Sequence, residues 1–429
     1  MKKIFPLITL FFLTFNSPAQ IIENYNYPVI SGNLSTVAGS YLKIPNDLKF
    51  ETLKLKRKSP KNNRLAKSLK LRYFPAKENK DLKKDTITFI FGGIGSDESA
   101  AISNLLAYKI SEKGLPTIVV PSIFSKQFAK SFSRTGYVGN IPQDATDLFE
   151  SLTWAKEEIK EKTKREITKI NIVGYSLGAL SAAHVEAVIK SDPEKEKTLN
   201  KVLLINPPVD LLYGLRLLDQ SAEKSVIGIN GTTLKLFKTS RAANKDSSRS
   251  PLLNLETFTS IAERFSQFDE NILSNLISRS LMSSLAGVIE TSQDIFDLGI
   301  LPKAPPRRSV TWRYYSRAKS RAINRMNFED YISGVLVPYY RDIEKVNGFS
   351  LEEINRLSSL YALDKTLRSS DKAYLIHNAD DFLLRGEGDL NYLVDVFQER
   401  ALIFPRGGHL SNIWHNDMIT AIRKTLISN

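Results

Sequence analysis

The chain reads as an α/β protein: a mostly parallel central sheet with helices on both faces and a large helical insertion. Three observations predict this. Several short runs are apolar at every position, the pattern of strands buried on both faces of a sheet. Amphipathic helical segments alternate with those runs. The alternation then stops over 211–370 and resumes at 372.

The elements follow in order. Residues 20–46 are polar and mixed, and read as irregular. Residues 50–56 and 68–74 alternate with a period of two around a turn rich in lysine and asparagine, which predicts an antiparallel hairpin with one wet face. From Thr86 the character changes. Runs at 86–91, 116–120, 167–173, 201–205, 372–377 and 401–404 are rich in β-branched and apolar residues, and several end at glycine or asparagine. Between them, 100–112, 145–162, 177–189 and 418–427 carry apolar residues three or four apart, as helices with one buried face do. The insertion reads helical over 256–275, 278–296, 311–324 and 351–363, with Pro302, Pro305 and Pro306 breaking its middle. Because it interrupts a sheet that resumes afterwards, it is expected to be a cap on the core. The chain thus divides into 1–19, a core segment 20–210, a cap 211–370 and a second core segment 371–429.

Composition narrows the chemistry. Met1-Lys2-Lys3 is a cationic start, 4–15 is apolar apart from Pro6, Thr9 and Thr14, and Ser17-Pro18-Ala19 has small residues at the cleavage positions. This is the pattern of a signal peptide over 1–19, and the apolar run falls short of the roughly 20 residues a membrane span requires. An exported protein is expected, periplasmic or secreted, or peripheral to a membrane. There is no cysteine, which excludes disulfides, thiolate catalysis, cysteine zinc sites and a lipid anchor at the cleavage point. The net charge is +14. Nucleic acid is the usual partner of so basic a chain, but export argues against it and leaves an anionic membrane surface, an acidic polymer, or a lysine-rich surface that serves solubility alone. Histidines and carboxylates show no metal-ligand spacing, so no metal and no other cofactor is implied.

Gly174-Tyr175-Ser176-Leu177-Gly178 is a G-x-S-x-G pentapeptide. Three fixed positions coincide by chance in about one chain in ten of this length at average composition. Its setting therefore matters more than its letters. A buried strand runs into it and a helix leaves it, the strand–turn–helix context that presents a serine oxygen at the top of a sheet. Flanking glycines remove Cβ atoms that would clash in so tight a turn, and the start of the helix favours developing negative charge.

With Ile170-Asn171-Ile172-Val173 before it, this segment resembles the nucleophile elbow of the α/β-hydrolase superfamily. The resemblance covers about 85–210 and 371–429. It implies the α/β-hydrolase fold and the chain order serine, acid, histidine, with Ser176 as nucleophile. His409, in Gly407-Gly408-His409-Leu410 between the last strand and the last helix, is similar to the family's catalytic histidine. Of the other three histidines, His184 reads as a packed or surface helix residue, His377 as structural at a strand end, and His415 as part of the last helix. The acid is expected in Asn378-Ala379-Asp380-Asp381-Phe382, which resembles a family G-x-x-D turn. That register gives Asp381, a slip of one residue gives Asp380, and Asp210 after the preceding strand is a third candidate. Leu177 N–H is expected to bind the oxyanion together with Gly93 from Phe91-Gly92-Gly93-Ile94, where phenylalanine replaces the family's histidine and Ile94 is the alternate donor.

The function this implies is a serine hydrolase acting on carboxylic esters, with a helical roof suited to a lipid or lysophospholipid. The same residues would also serve a peptidase or an acyltransferase, and the scaffold could persist as a non-catalytic lipid- or membrane-surface-binding protein. In the cap, Arg313, Arg317, Arg321 and Arg325 recur every four residues beside Trp312, Tyr314 and Tyr315, with Arg307, Arg308 and Lys319 near them. Like charges at that spacing repel on a helix. Either an anionic lipid surface offsets them, or acids such as Glu329 and Asp330 do.

Overall fold

The computed structural model describes residues 19–427 apart from 24, 29–30, 42, 46–47, 56–67, 78–84, 225–231, 250–253, 303–304 and 306–311. The signal-peptide reading, the hairpin turn, Arg307, Arg308 and the side chains of Trp312 and Arg313 lie outside the described residues.

Among the described residues, nine strands form one sheet: β1 (Gln20–Ile21), β2 (Glu51–Leu55), β3 (Leu69–Phe74), β4 (Thr86–Phe91), β5 (Thr117–Val120), β6 (Lys169–Tyr175), β7 (Leu199–Ile205), β8 (Ala373–Asn378) and β9 (Ala401–Phe404). Their spatial order is β1-β9-β8-β7-β6-β4-β5-β3-β2. β3 runs against both its neighbours, and every other pair is parallel. The doubly apolar runs occupy the middle: β4 buries every residue, and β6 and β7 all but one each. The β2–β3 hairpin alternates buried and more exposed positions, as its period-two pattern requires. Helices Ala101–Ser111, Ile141–Thr163, Leu177–Lys190 and Asn416–Ile427 cover the sheet within a few residues of their expected bounds.

The irregular reading of 20–46 is corrected. Gln20–Ile21 adds a strand beside β9, and Gly32–Gly39 forms a helix whose N-cap, Ser31, accepts the Leu34 N–H. That helix is short and rich in small residues, so it carries no periodic apolar signal. Tertiary docking decides its existence.

The chain leaves the sheet after β7 and returns at β8, and helices fill the interval. Where two long helices are expected over 256–296, three form: Leu255–Phe265, Glu270–Met282 and Leu285–Ile295. Asp269 explains one break, since its carboxylate accepts the Ile272 N–H at 2.9 Å and starts a new helix. Thr232–Arg249 is a further helix, too polar to announce itself by apolar spacing. The last turns before β8, Leu360–Leu363 and Asp364–Arg368, pack on the core helices Leu177–Lys190 and Glu387–Phe397, with Leu360 and Leu367 fully buried.

The arginine-rich segment forms the helix Trp312–Ile323, with Arg325 just beyond its end. Ile323 is buried and Lys319 reaches Glu290 at 2.9 Å, whereas Tyr314, Arg317 and Arg321 share the exposed face. No ion pair to Arg317, Arg321 or Arg325 is present among the described residues. Asp330 instead accepts the Asn327 N–H in a capping box.

Candidate active site

Ser176 stands where β6 turns into the helix Leu177–Lys190, with φ 55° and ψ −129°, a conformation few non-glycine residues adopt. Its N–H is tied to Ile205 O on β7 at 2.9 Å. The two glycines are sterically required. A Cβ on Gly174 would lie 2.1 Å from Gly178 O, and one on Gly178 would lie 2.2 Å from Phe91 O. The elbow is thus pressed against the end of β4, which brings the Gly92–Gly93 loop beside the serine.

The parallel order places the ends of β6, β8 and β9 on one edge of the sheet, and their loops converge there. His409 Nε2 lies 2.8 Å from Ser176 Oγ, and its Nδ1 lies 2.8 Å from Asp381 Oδ2. A carboxylate can only accept, so Nδ1 carries the proton and Nε2 is left to accept the serine hydroxyl. Burial works to raise the Asp381 pKa, but the charge and hydrogen bond of His409 outweigh it and hold the carboxyl below its ordinary value. Asn206 also donates to Asp381 Oδ2 at 2.7 Å, and Leu383 N–H donates to Oδ1 at 3.0 Å.

The neighbouring acid points elsewhere. Asp380 does not meet the imidazole: its Oδ1 accepts the Gly408 N–H at 2.8 Å. The tight turn closed by Asp381 N–H on Asn378 O sends consecutive carboxylates in different directions, which corrects the placement of Asp380 as an alternative acid. Burial, the largest influence, pushes its pKa up to about 6. Asp210 caps the helix Leu211–Glu223 and pairs with Arg385 at 3.2 Å.

Nor do the other histidines approach the serine. His184 is buried on the elbow helix itself, two turns beyond the serine, where burial lowers its pKa to about 4. The His377 ring lies between Asn378 O at 2.9 Å and Pro207 O at 3.3 Å. His415 sits just before the last helix rather than in it, packed on Tyr25 and Trp414.

The loop bearing His409 is held by residues that sequence reasoning did not single out. Asn378, at the position where the family turn has glycine, donates to Gly408 O at 2.8 Å and exchanges amide hydrogen bonds with Asn412. Thr36 Oγ1 accepts the His409 N–H at 2.9 Å. Asn206 had one sequence signal, its place at the end of a strand beside the acid's strand. Thr36 had none, because it is 373 residues distant along the chain.

Leu177 begins its helix, so its N–H has no intrahelical acceptor. Across from it, a Cβ on Gly93 would lie 3.1 Å from Ser176 Cβ. The Tyr175 hydroxyl, whose pKa burial raises, bonds Ser103 at 2.8 Å, Ser96 at 3.2 Å and the Gly93 backbone, so it braces that loop. Ser176 and His409 open onto a cleft of about 570 Å³. Leu276, Ile277, Leu281 and Ile102 line it together with the hydroxyls of Ser40 and Ser280. Behind Ile94 and Leu177 lies a wholly apolar cavity of about 30 Å³, walled by cap residues such as Leu212, Phe328 and Leu336.

A serine elbow after β6 and a histidine after β9, on a parallel sheet whose β3 alone is reversed, identify the architecture. The chain has the α/β-hydrolase fold. No protein-family model and no curated protein matches the sequence. Among solved structures it is similar to one from a study of two fungal esterases from Rhizomucor miehei, with 12% identity, 92% of this chain and 88% of that one covered, and a TM-score of 0.42. It is also similar to a thioesterase domain from the curacin biosynthetic pathway, with 13% identity, 88% and 99% covered, and a TM-score of 0.36. The α/β hydrolase GrgF from Penicillium sp. sh18 matches at 16% identity over 88% and 96% of the two chains, with a TM-score of 0.39. At this distance they inform neither substrate nor mechanism.

Proposed function

We propose that this α/β-hydrolase-fold protein is a serine hydrolase that cleaves carboxylic esters through an acyl-enzyme. One observation carries the reading: the unbroken line Ser176–His409–Asp381, with both links at 2.8 Å, open to a cleft. Ser176 Oγ attacks the ester carbonyl carbon as its proton passes to His409 Nε2. Asp381 orients the ring and stabilises the imidazolium. The carbonyl oxygen gains charge beside the Leu177 N–H and the Gly93–Ile94 loop. The bond to the alkoxy oxygen breaks, and that oxygen takes the proton from His409. Water then repeats the sequence on the acyl-serine, releasing the acid and restoring Ser176.

The cleft wall supports the substrate class. Aliphatic and hydroxyl-bearing residues both line it, which suits an ester with an acyl chain and a polar headgroup, as in a lipid or lysophospholipid. The cap supports a lipid surface as the place where such a substrate is met. The outward faces of two of its helices carry Leu234 and Phe237 with Lys238, Arg241 and Lys245, and Tyr314 with Arg317 and Arg321. The signal-peptide pattern over 1–19 supports export, and with it an activity outside the cytoplasm.

Labelling by a fluorophosphonate probe tests the reading. The folded protein is expected to label, and Ser176→Ala and His409→Ala to lose the label. Activity on p-nitrophenyl esters of increasing chain length then reads the acyl preference. A folded wild-type protein that neither labels nor turns over these esters would be a binder on a hydrolase scaffold.

A further inference from the structure

We propose that the helix Gly32–Gly39 is a working part of the site, and that Thr36 is the positioning residue that holds His409 toward Ser176. This rests on the hydrolase reading above. The helix lies backbone to backbone against the loops that carry the acid and the base. A Cβ on Gly32 would stand 2.2 Å from Asp380 O, one on Gly39 2.4 Å from Ser411 Oγ, and one on Gly408 2.2 Å from Gly32 O. Only glycine allows so close an approach.

Hydroxyls stitch the contact. Ser35 donates to the Tyr27 hydroxyl at 2.9 Å, Tyr27 donates to Ser411 Oγ at 3.0 Å, and the Ser411 hydroxyl returns to Ser35 O. Thr36 Oγ1 donates to Gly32 O at 2.7 Å while accepting the His409 N–H. The same loop is gripped from its other side by Asp380 and Asn378, on the N–H and carbonyl of Gly408.

The loop requires such restraint. Gly407, Gly408 and Leu410 have φ of 148°, 54° and 67°. Leu410 has a side chain, and a left-handed backbone there persists only where the surroundings over-determine it. Were the loop to relax, the imidazole would drift from the serine, and displacements near 1 Å can cost roughly a hundredfold in rate. The helix also reaches the roof: Ser31 and Asn33 donate to Glu270 at 2.6 and 2.8 Å, and Asn33 to Ser274 at 3.1 Å. The cap helix Glu270–Met282 carries the cleft residues Leu276, Ile277 and Leu281. One short segment therefore joins the base to a wall of the cleft.

The test compares full-length Thr36→Val, which keeps the shape and removes the hydroxyl, with Thr36→Ser, which restores it. On a p-nitrophenyl ester, Thr36→Val should lower kcat roughly tenfold at unchanged KM, and Thr36→Ser should regain near wild-type kcat. Unchanged kcat in Thr36→Val, or an equal loss in both variants, overturns the proposal. A second readout needs no turnover. The downfield His409 Nδ1 proton resonance should broaden in Thr36→Val and return in Thr36→Ser, and a resonance identical in wild type and Thr36→Val also overturns it. Absence of wild-type turnover alongside a Thr36-dependent resonance counts against the hydrolase reading alone.

Discussion

Asp380 and Asp381 are adjacent in sequence and opposite in electrostatic character. Asp381 lies in the field of His409 and is held ionised, whereas Asp380 has only backbone donors against its burial and its pKa rises to about 6. Asp381→Asn should lower kcat roughly ten-thousandfold by favouring the wrong imidazole tautomer. Asp380→Asn, which keeps an acceptor for Gly408 N–H, should cost no more than about tenfold, consistent with a loop contact. Ester hydrolysis rates of the two variants decide this, and equal losses would remove the distinction. Stability separates them as well. Between the ordinary carboxylate value of 3.8 and about 6, native Asp380 holds a proton that the unfolded chain has lost. Its contribution to stability therefore falls as pH rises through that window. The melting temperature of Asp380→Asn relative to wild type should climb from about pH 4 to about pH 6. Asp381 has the opposite sign: its lowered pKa stabilises above 3.8, and that contribution disappears as pH falls below it.

At the scale of elements, the elbow is the most constrained. A strand, a helix and the neighbouring β4 loop meet where Gly178 touches Phe91 O. Adding one methyl there requires backbone movement, because the obstacle is a carbonyl and not a flexible side chain. Gly178→Ala should destabilise the fold by more than about 3 kcal/mol, read as a large drop in melting temperature. A variant that melts like wild type would mean that the elbow sits further from β4. The cap helices obey weaker, local rules. Asp269 and Asn254 each start a helix by accepting a backbone N–H, and such caps are worth about 1 kcal/mol apiece. They divide the cap where a hydrophobic period alone would run on.

The molecule as a whole is strongly basic, with a net charge of +14, and its cap shows part of that charge beside exposed apolar groups. Leu234, Phe237 and Tyr314 are 58%, 66% and 69% exposed. Cationic faces with apolar tips partition onto anionic bilayers, at about 1 kcal/mol per basic residue near the surface. The protein is expected to co-sediment with phosphatidylglycerol vesicles at low ionic strength and to release them at about 0.5 M salt, where the Debye length shrinks below ~5 Å. Replacing Lys238 and Arg241 by serine, or Arg317 and Arg321, should weaken binding roughly tenfold or more for each pair. Equal sedimentation with neutral vesicles would dispose of the electrostatic reading.

The sequence by itself determined what local pattern can encode. Doubly apolar runs specify the buried strands, and Gly174 and Gly178 around Ser176 specify the elbow. The resemblance to the α/β-hydrolase superfamily adds His409 and an acid at Asp381 or Asp380, each in a turn at a strand end. These signals survive in one dimension because each depends on neighbours a few residues away. Tertiary structure alone decided which of two adjacent aspartates faces the imidazole, since a turn rotates consecutive side chains apart. It alone showed that Asn206 braces Asp381, that Asn378 and Thr36 brace the loop of His409, and that a segment read as irregular is a helix pressed on both loops. Those residues have no periodicity of their own. Their roles arise from hydrogen bonds made at close range between parts of the chain separated by as many as 373 residues, and such contacts exist only once the sheet has brought its loops to one edge.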